Sequence, residues 1–151
     1  MPKKDALNVY VADWLVATEM LPVISYRAAE QFFHTVCELL NFRHITIREN
    51  KHRKGAICCH NVMRNTHKIE IGRCTKLTEI LVLHEIAHTY HPNCGHSQKF
   101  VMIYEGLIRA FLSNSVLEKW NYYNSQIQKL RTKDQITKFY WDRIGEIQKV
   151  S

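Results

Sequence analysis

The residues best suited to chemistry are His84, Glu85, Ile86, Ala87 and His88. They spell H-E-x-x-H inside ILVLHEIAH, a run otherwise apolar enough to be a core helix. Side chains four apart on a helix share one face, one turn apart. Two imidazoles so placed can grip one Zn²⁺, each at about 2.0–2.1 Å. Glu85, beside the first of them, can reach a water on the ion without ligating the ion itself. The chemistry this predicts is hydrolysis. Zinc lowers the pKa of its water toward ~7; Glu85 takes the proton and later hands it to a leaving nitrogen. Composition alone yields on the order of 0.03 such motifs in a chain like this. The plainer reading is a helix that happens to carry two His and a Glu. It would bury imidazoles and a carboxylate with nothing to satisfy them, which costs free energy.

A catalytic zinc takes a third protein ligand and keeps one position open. His91 lies seven residues past His84, so the two start about 10 Å apart along a helix. His96 is better placed, because Pro92 and Gly95 let the chain leave the helix and turn back. Glu105, on the helix predicted next, is the alternative, since two His and a Glu also make a catalytic set. One zinc per chain is expected. An oxyanion needs a donor; Tyr104, two turns beyond His96, is the candidate, with Tyr90, His60 and His67 as rivals.

LVLHEIAH, followed by His96 and then Phe100, resembles the SprT-like zinc metalloproteases, and their small phage and bacterial members in particular. That resemblance implies a zincin fold, His84, His88 and His96 as ligands, and Glu85 as the catalytic residue. Phe100 matches the aromatic that opens the family's next helix. Ser97 stands where the family usually has Gly, and the paired-Cys ribbon that often follows the core has no counterpart. The resemblance spans roughly residues 78–111.

Several elements must position these groups. Residues 6–18 and 28–41 read as helices, the second capped by Ser25. Strands are predicted over 44–49, 56–62 and 67–71, where Ile45/Ile47 and Ile69/Ile71 alternate with polar neighbours. The charged stretch Arg48–Gly55 reads as an exposed loop, and residues 63–66 as the next turn. The H-E-x-x-H helix runs from Thr75, a candidate cap, to about His91, where Pro92 ends it. Asn93, Cys94 and Gly95 form a turn, and residues 96–112 form another helix. Residues 116–150 are helical with a break near Thr132–Asp134. The predicted fold is α+β: a minimal zincin-like domain whose small, mostly antiparallel three-stranded sheet packs on the H-E-x-x-H helix. One domain is expected over residues 1–151, with a core at about 25–113 and a helical tail at about 115–150. Residues 67–71 are the expected edge to which a peptide substrate adds.

The chain has 151 residues and a formal charge of +7. Nine basic residues and two acidic ones between Phe42 and Lys76 carry the whole excess. Lys51, Arg53 and Lys54 are therefore candidate nucleic-acid contacts, against the plainer reading of a solvated loop. No aromatic is interleaved with them for base stacking. The five cysteines are odd in number and form no C-x-x-C pair, which argues against a disulfide framework or a zinc ribbon. Cys94 stands out only by its nearness to the metal motif. No apolar run is long enough to span a bilayer, and the start reads as a helix rather than an export signal. A cytoplasmic peptidase acting on protein or peptide is the leading expectation. A nucleic-acid-binding or interaction module with a structural or degenerate zinc site is the alternative.

Overall fold

Six helices and a three-stranded mixed sheet make up an α+β fold in a computed structural model that describes residues 4–73, 76–92 and 95–150. Helix α1 (Lys4–Met20) turns Val9, Ala12, Leu15 and Val16 into the core. Helix α2 (Tyr26–Leu39) starts where expected, at Ser25, whose Oγ accepts the Ala28 N–H at 3.1 Å. Its Ala29, Phe33, Val36 and Cys37 form one buried stripe. The predicted cap Thr75 and the turn residues Asn93 and Cys94 lie outside the described residues.

The sheet holds β1 (Ile45–Lys54), β2 (Ala56–Asn61) and β3 (Thr66–Arg73), in the order β1-β3-β2. β2 and β3 are an antiparallel pair, with His60 opposite His67. β1 runs parallel to β3, with Ile47 opposite Ile69. The expectation of a mostly antiparallel sheet is therefore corrected: one pair is parallel and one antiparallel. The basic stretch is corrected too. Residues 50–54 continue β1 instead of forming a loop, and only Gly55 separates β1 from β2. The chain crosses the end of β3 there, from one side of the sheet to the other. Gly55 takes φ +75°, and its carbonyl accepts the Gly72 N–H at 2.8 Å. A Cβ on Gly72 would collide with the Arg53 carbonyl, so the crossing requires glycine beneath it.

One face of the sheet turns Ile69 and Ile71 into the same core as Leu83, Ile86 and Phe33. The opposite face is held by charge. Glu70 accepts from Asn50 at 2.7 Å and pairs with Arg48 and Lys68, each at 3.2 Å.

Helix α3 (Glu79–Ala87) lies against β2 and is buried on nearly every side. It ends before the expected His91. The Thr89 and Tyr90 N–H groups bond three residues back, to Ile86 and Ala87, so the last turn tightens before Pro92. Helix α4 (Gln98–Phe111) follows, then α5 (Asn114–Gln128) and α6 (Lys133–Val150). The predicted break in the tail is present. Thr132 Oγ1 accepts the Gln135 N–H, and Gln135 Oε1 accepts from Thr132 N, each at 3.2 Å, a reciprocal helix cap. α5 and α6 pack on α1. Among the described residues, no helix is long and apolar enough to cross a membrane.

Candidate metal centre

α3 carries His84 and His88 one turn apart, and the turn before α4 brings His96 to the same point. The ligand-capable nitrogens of the three lie within 4.8 Å of one another. His84 Nε2 and His96 Nε2 are 2.9 Å apart. Nitrogens bound to one tetrahedral ion at 2.0–2.1 Å stand about 3.4 Å from each other, a value inside this range. The donor set is three imidazoles with no competing carboxylate. The three histidines are thus close enough to bind a metal ion, and their chemistry suits it. Glu105, the alternative ligand, is half-buried on α4 and outside the cluster.

Phe100 is buried beneath all three rings, with centroids 4.5–5.1 Å away. Tyr10, from α1, lies flat on His84 at 4.8 Å and edge-on to His96 at 5.3 Å.

Behind His84 sits a residue that sequence reasoning missed. Asp13, on α1 and 2% exposed, meets His84 Nδ1 through Oδ2 at 2.7 Å. A carboxylate only accepts, so Nδ1 carries the proton and Nε2 faces the cluster. This is the arrangement that fixes the tautomer and orientation of a metal-binding histidine. Asp13 is itself fixed. Its Oδ1 accepts from Tyr104 Oη at 2.5 Å and from Trp120 Nε1 at 2.8 Å. Helices α1, α3, α4 and α5 therefore meet at one carboxylate. The only signal for it in the sequence is a lone charge in the apolar stretch Leu7–Ala17.

These contacts correct the assignment of Tyr104. Its hydroxyl is fully buried and donates to Asp13, so it holds the support of His84 and cannot meet a substrate oxyanion. The rival Tyr90 is exposed and sits edge-on to Phe42. His60 and His67 do line the cleft.

That cleft, of about 210 Å³, is bounded by Tyr10, Glu85, His88 and the β2 residues Ala56–Cys58. Glu85 is 1% exposed, and its Oε1 meets no donor among the described residues. Burial raises its pKa above the usual carboxylate range, with Asp13 adding to the shift and His84 opposing it. Burial also acts on the imidazoles. It pushes His88 down to about 3, helped by His84 and His96, so His88 is neutral and its lone pair is available. In His84 burial again favours the neutral form, but the hydrogen bond and charge of Asp13 outweigh it and raise the pKa. Burial, with the charge of Glu85 behind it, pushes the Cys58 thiol up to about 12, which keeps it protonated.

The edge strand is also corrected. β3, expected to receive a peptide, is paired on both sides, whereas β2 pairs only with β3 and borders the cleft. Lys51, Arg53 and Lys54 lie on the last part of β1 and line neither this cleft nor the larger recess beside it. Compared with protein-family models, with curated proteins and with solved structures, the chain finds no match in any of the three.

Proposed function

We propose that this protein is a zinc-dependent hydrolase, a metallopeptidase of the SprT-like zincin kind, with Glu85 as general base. The observation that carries the reading is a cleft lined by the buried Glu85 and by His88, which clusters with His96 and with a His84 braced by Asp13. A purely structural metal site has no need of the carboxylate.

His84, His88 and His96 would hold the zinc, which when bound supplies a Lewis acid that lowers the pKa of water toward ~7. Glu85 accepts the proton of the attacking water, and its raised pKa brings it closer to the working range of a general base. Glu85 then delivers that proton to the amine leaving group. Asp13 keeps His84 in the one tautomer that directs Nε2 inward. The free edge of β2 offers backbone N–H and C=O groups to an extended peptide. Tyr10 and Phe100 wall the histidines with aromatic rings and limit water at the site.

Zinc titration tests the ligand set. Wild type should bind about one zinc per chain, and His96→Ala should weaken binding by orders of magnitude while Glu105→Gln leaves it unchanged. Peptide hydrolysis should vanish with a chelator and return with zinc. Folded protein that binds no zinc, or a Glu105→Gln variant that loses it, would overturn the assignment.

A further inference from the structure

Beside the cleft lies a second, larger recess of about 780 Å³. The two share His60 and His67, so one opens beside the other. Those rings stack face to face across β2 and β3, with centroids 4.4 Å apart. Asn65 accepts from His60 Nε2 at 3.2 Å, and neither Nδ1 has a partner among the described residues. Arg43, His44, Arg64 and Lys68 also line the recess, beside the neutral Thr46, Asn61 and Thr66, and no carboxylate among the described residues does. Lys68 is committed to Glu70. Arg43 gives one hydrogen bond to Asn41, and among the described residues no carboxylate pairs with Arg43 or Arg64. Both arginines are exposed.

We propose that this recess is a substrate subsite for an acidic side chain, so that the cleft selects peptides carrying Asp or Glu near the bond it cuts. The inference rests on the peptidase reading above and names its substrate class. Geometry sets the distance. A peptide added to the free edge of β2 passes from the Cys58 end, beside Glu85, to the Asn61 end, which lines the recess. That is three residues, or about 10 Å of strand. The carboxylate should therefore lie roughly two to four residues from the scissile bond. A guanidinium fork matches a carboxylate with two parallel N–H donors. Nucleic acid fits less well: among the described residues no Phe, Tyr or Trp lines the recess for a base to stack on.

The test uses zinc-loaded protein and synthetic peptides that differ only in Asp/Glu against Asn/Gln at each position. The acidic member should be cleaved with kcat/KM roughly two- to thirtyfold higher, the range that two exposed charge pairs supply. The preference should collapse in high salt and in the double variant Arg43→Gln/Arg64→Gln. That variant should cleave the neutral peptide like wild type, since neither arginine touches the reacting groups. Equal cleavage of both peptides would overturn the subsite and leave the peptidase reading standing. If wild type cleaves nothing, that reading falls and binding decides the subsite alone. Fluorescence anisotropy of a labelled acidic peptide on zinc-loaded Glu85→Gln should then show the same preference. Binding indifferent to the acid would overturn the proposal. So would a single-stranded oligonucleotide that displaces the peptide at lower concentration, which would assign the recess to phosphate.

Discussion

Asp13 stands 71 positions before His84, and no spacing rule joins the two. The H-E-x-x-H motif was legible because two histidines on one helical turn are a local pattern. His96 was legible because Pro92 and Gly95 mark a reversal. Asp13 reaches His84 only through tertiary packing, which periodicity does not encode. Tyr104 was found on the correct helix at the correct distance, yet its role was misread, because Asp13 takes its hydroxyl. A test at this scale is Asp13→Asn. The amide oxygen can still accept from Trp120 and Tyr104, but its NH₂ would face the Nδ1–H of His84, donor against donor. The His84 ring must then change tautomer or turn. Zinc affinity should fall about 10- to 100-fold, the usual effect of losing such a partner, as read by competition with a chromogenic chelator. Near-normal far-UV circular dichroism would show that the fold survives. Unchanged zinc affinity would detach Asp13 from the metal centre.

The elements were more legible than their arrangement. β1 and β3 begin where alternating isoleucines indicated, since period-two burial is a property of the strand itself, and β2 falls within the predicted 56–62. Their order was not, because neighbouring strands pair as hairpins by default and nothing in the alternation signals a parallel pair. The charge run from Asn50 to Lys54 reads as loop for the same local reason. In the fold it extends β1 and bends across Gly72. The parallel pairing is tied on its outer face by Glu70, which takes Asn50 and Arg48 from β1 and Lys68 from its own strand. The Asn50 hydrogen bond, with Lys68 and Arg48, lowers the Glu70 pKa to about 2 despite desolvation. A depressed carboxylate contributes its stability above its unfolded pKa, near ~4.3, and loses it as pH falls toward 2. Melting temperature should therefore decline from pH 5 to pH 2 more steeply in wild type than in Glu70→Gln. Parallel declines in the two proteins would mean that Glu70 does not tie β1 to β3.

The candidate site belongs to the whole molecule. Helix α1 supplies Tyr10 and Asp13, and α5 supplies Trp120. Both lie outside the span 25–113 that the sequence suggested as the core. Of the tail aromatics, Trp120 and Tyr123 are buried. Tyr123 also bonds Glu19 of α1 at 2.5 Å. What periodicity could not tell is that this packing closes over the carboxylate that braces His84. Tyr10 of α1, Glu85 of α3 with His88 at its end, and β2 thus border one cleft. The central claim is that this convergence makes a hydrolytic centre whose base is Glu85. Cleavage of a peptide pool by zinc-loaded wild type beside Glu85→Gln, at matched zinc content, tests it most directly. The ligands survive that substitution and the proton acceptor does not. Wild type should therefore cleave, and Glu85→Gln should lose at least about 100-fold in rate, the low end of general-base catalysis. Equal turnover by the two proteins, or none by either with zinc bound, would contradict the account.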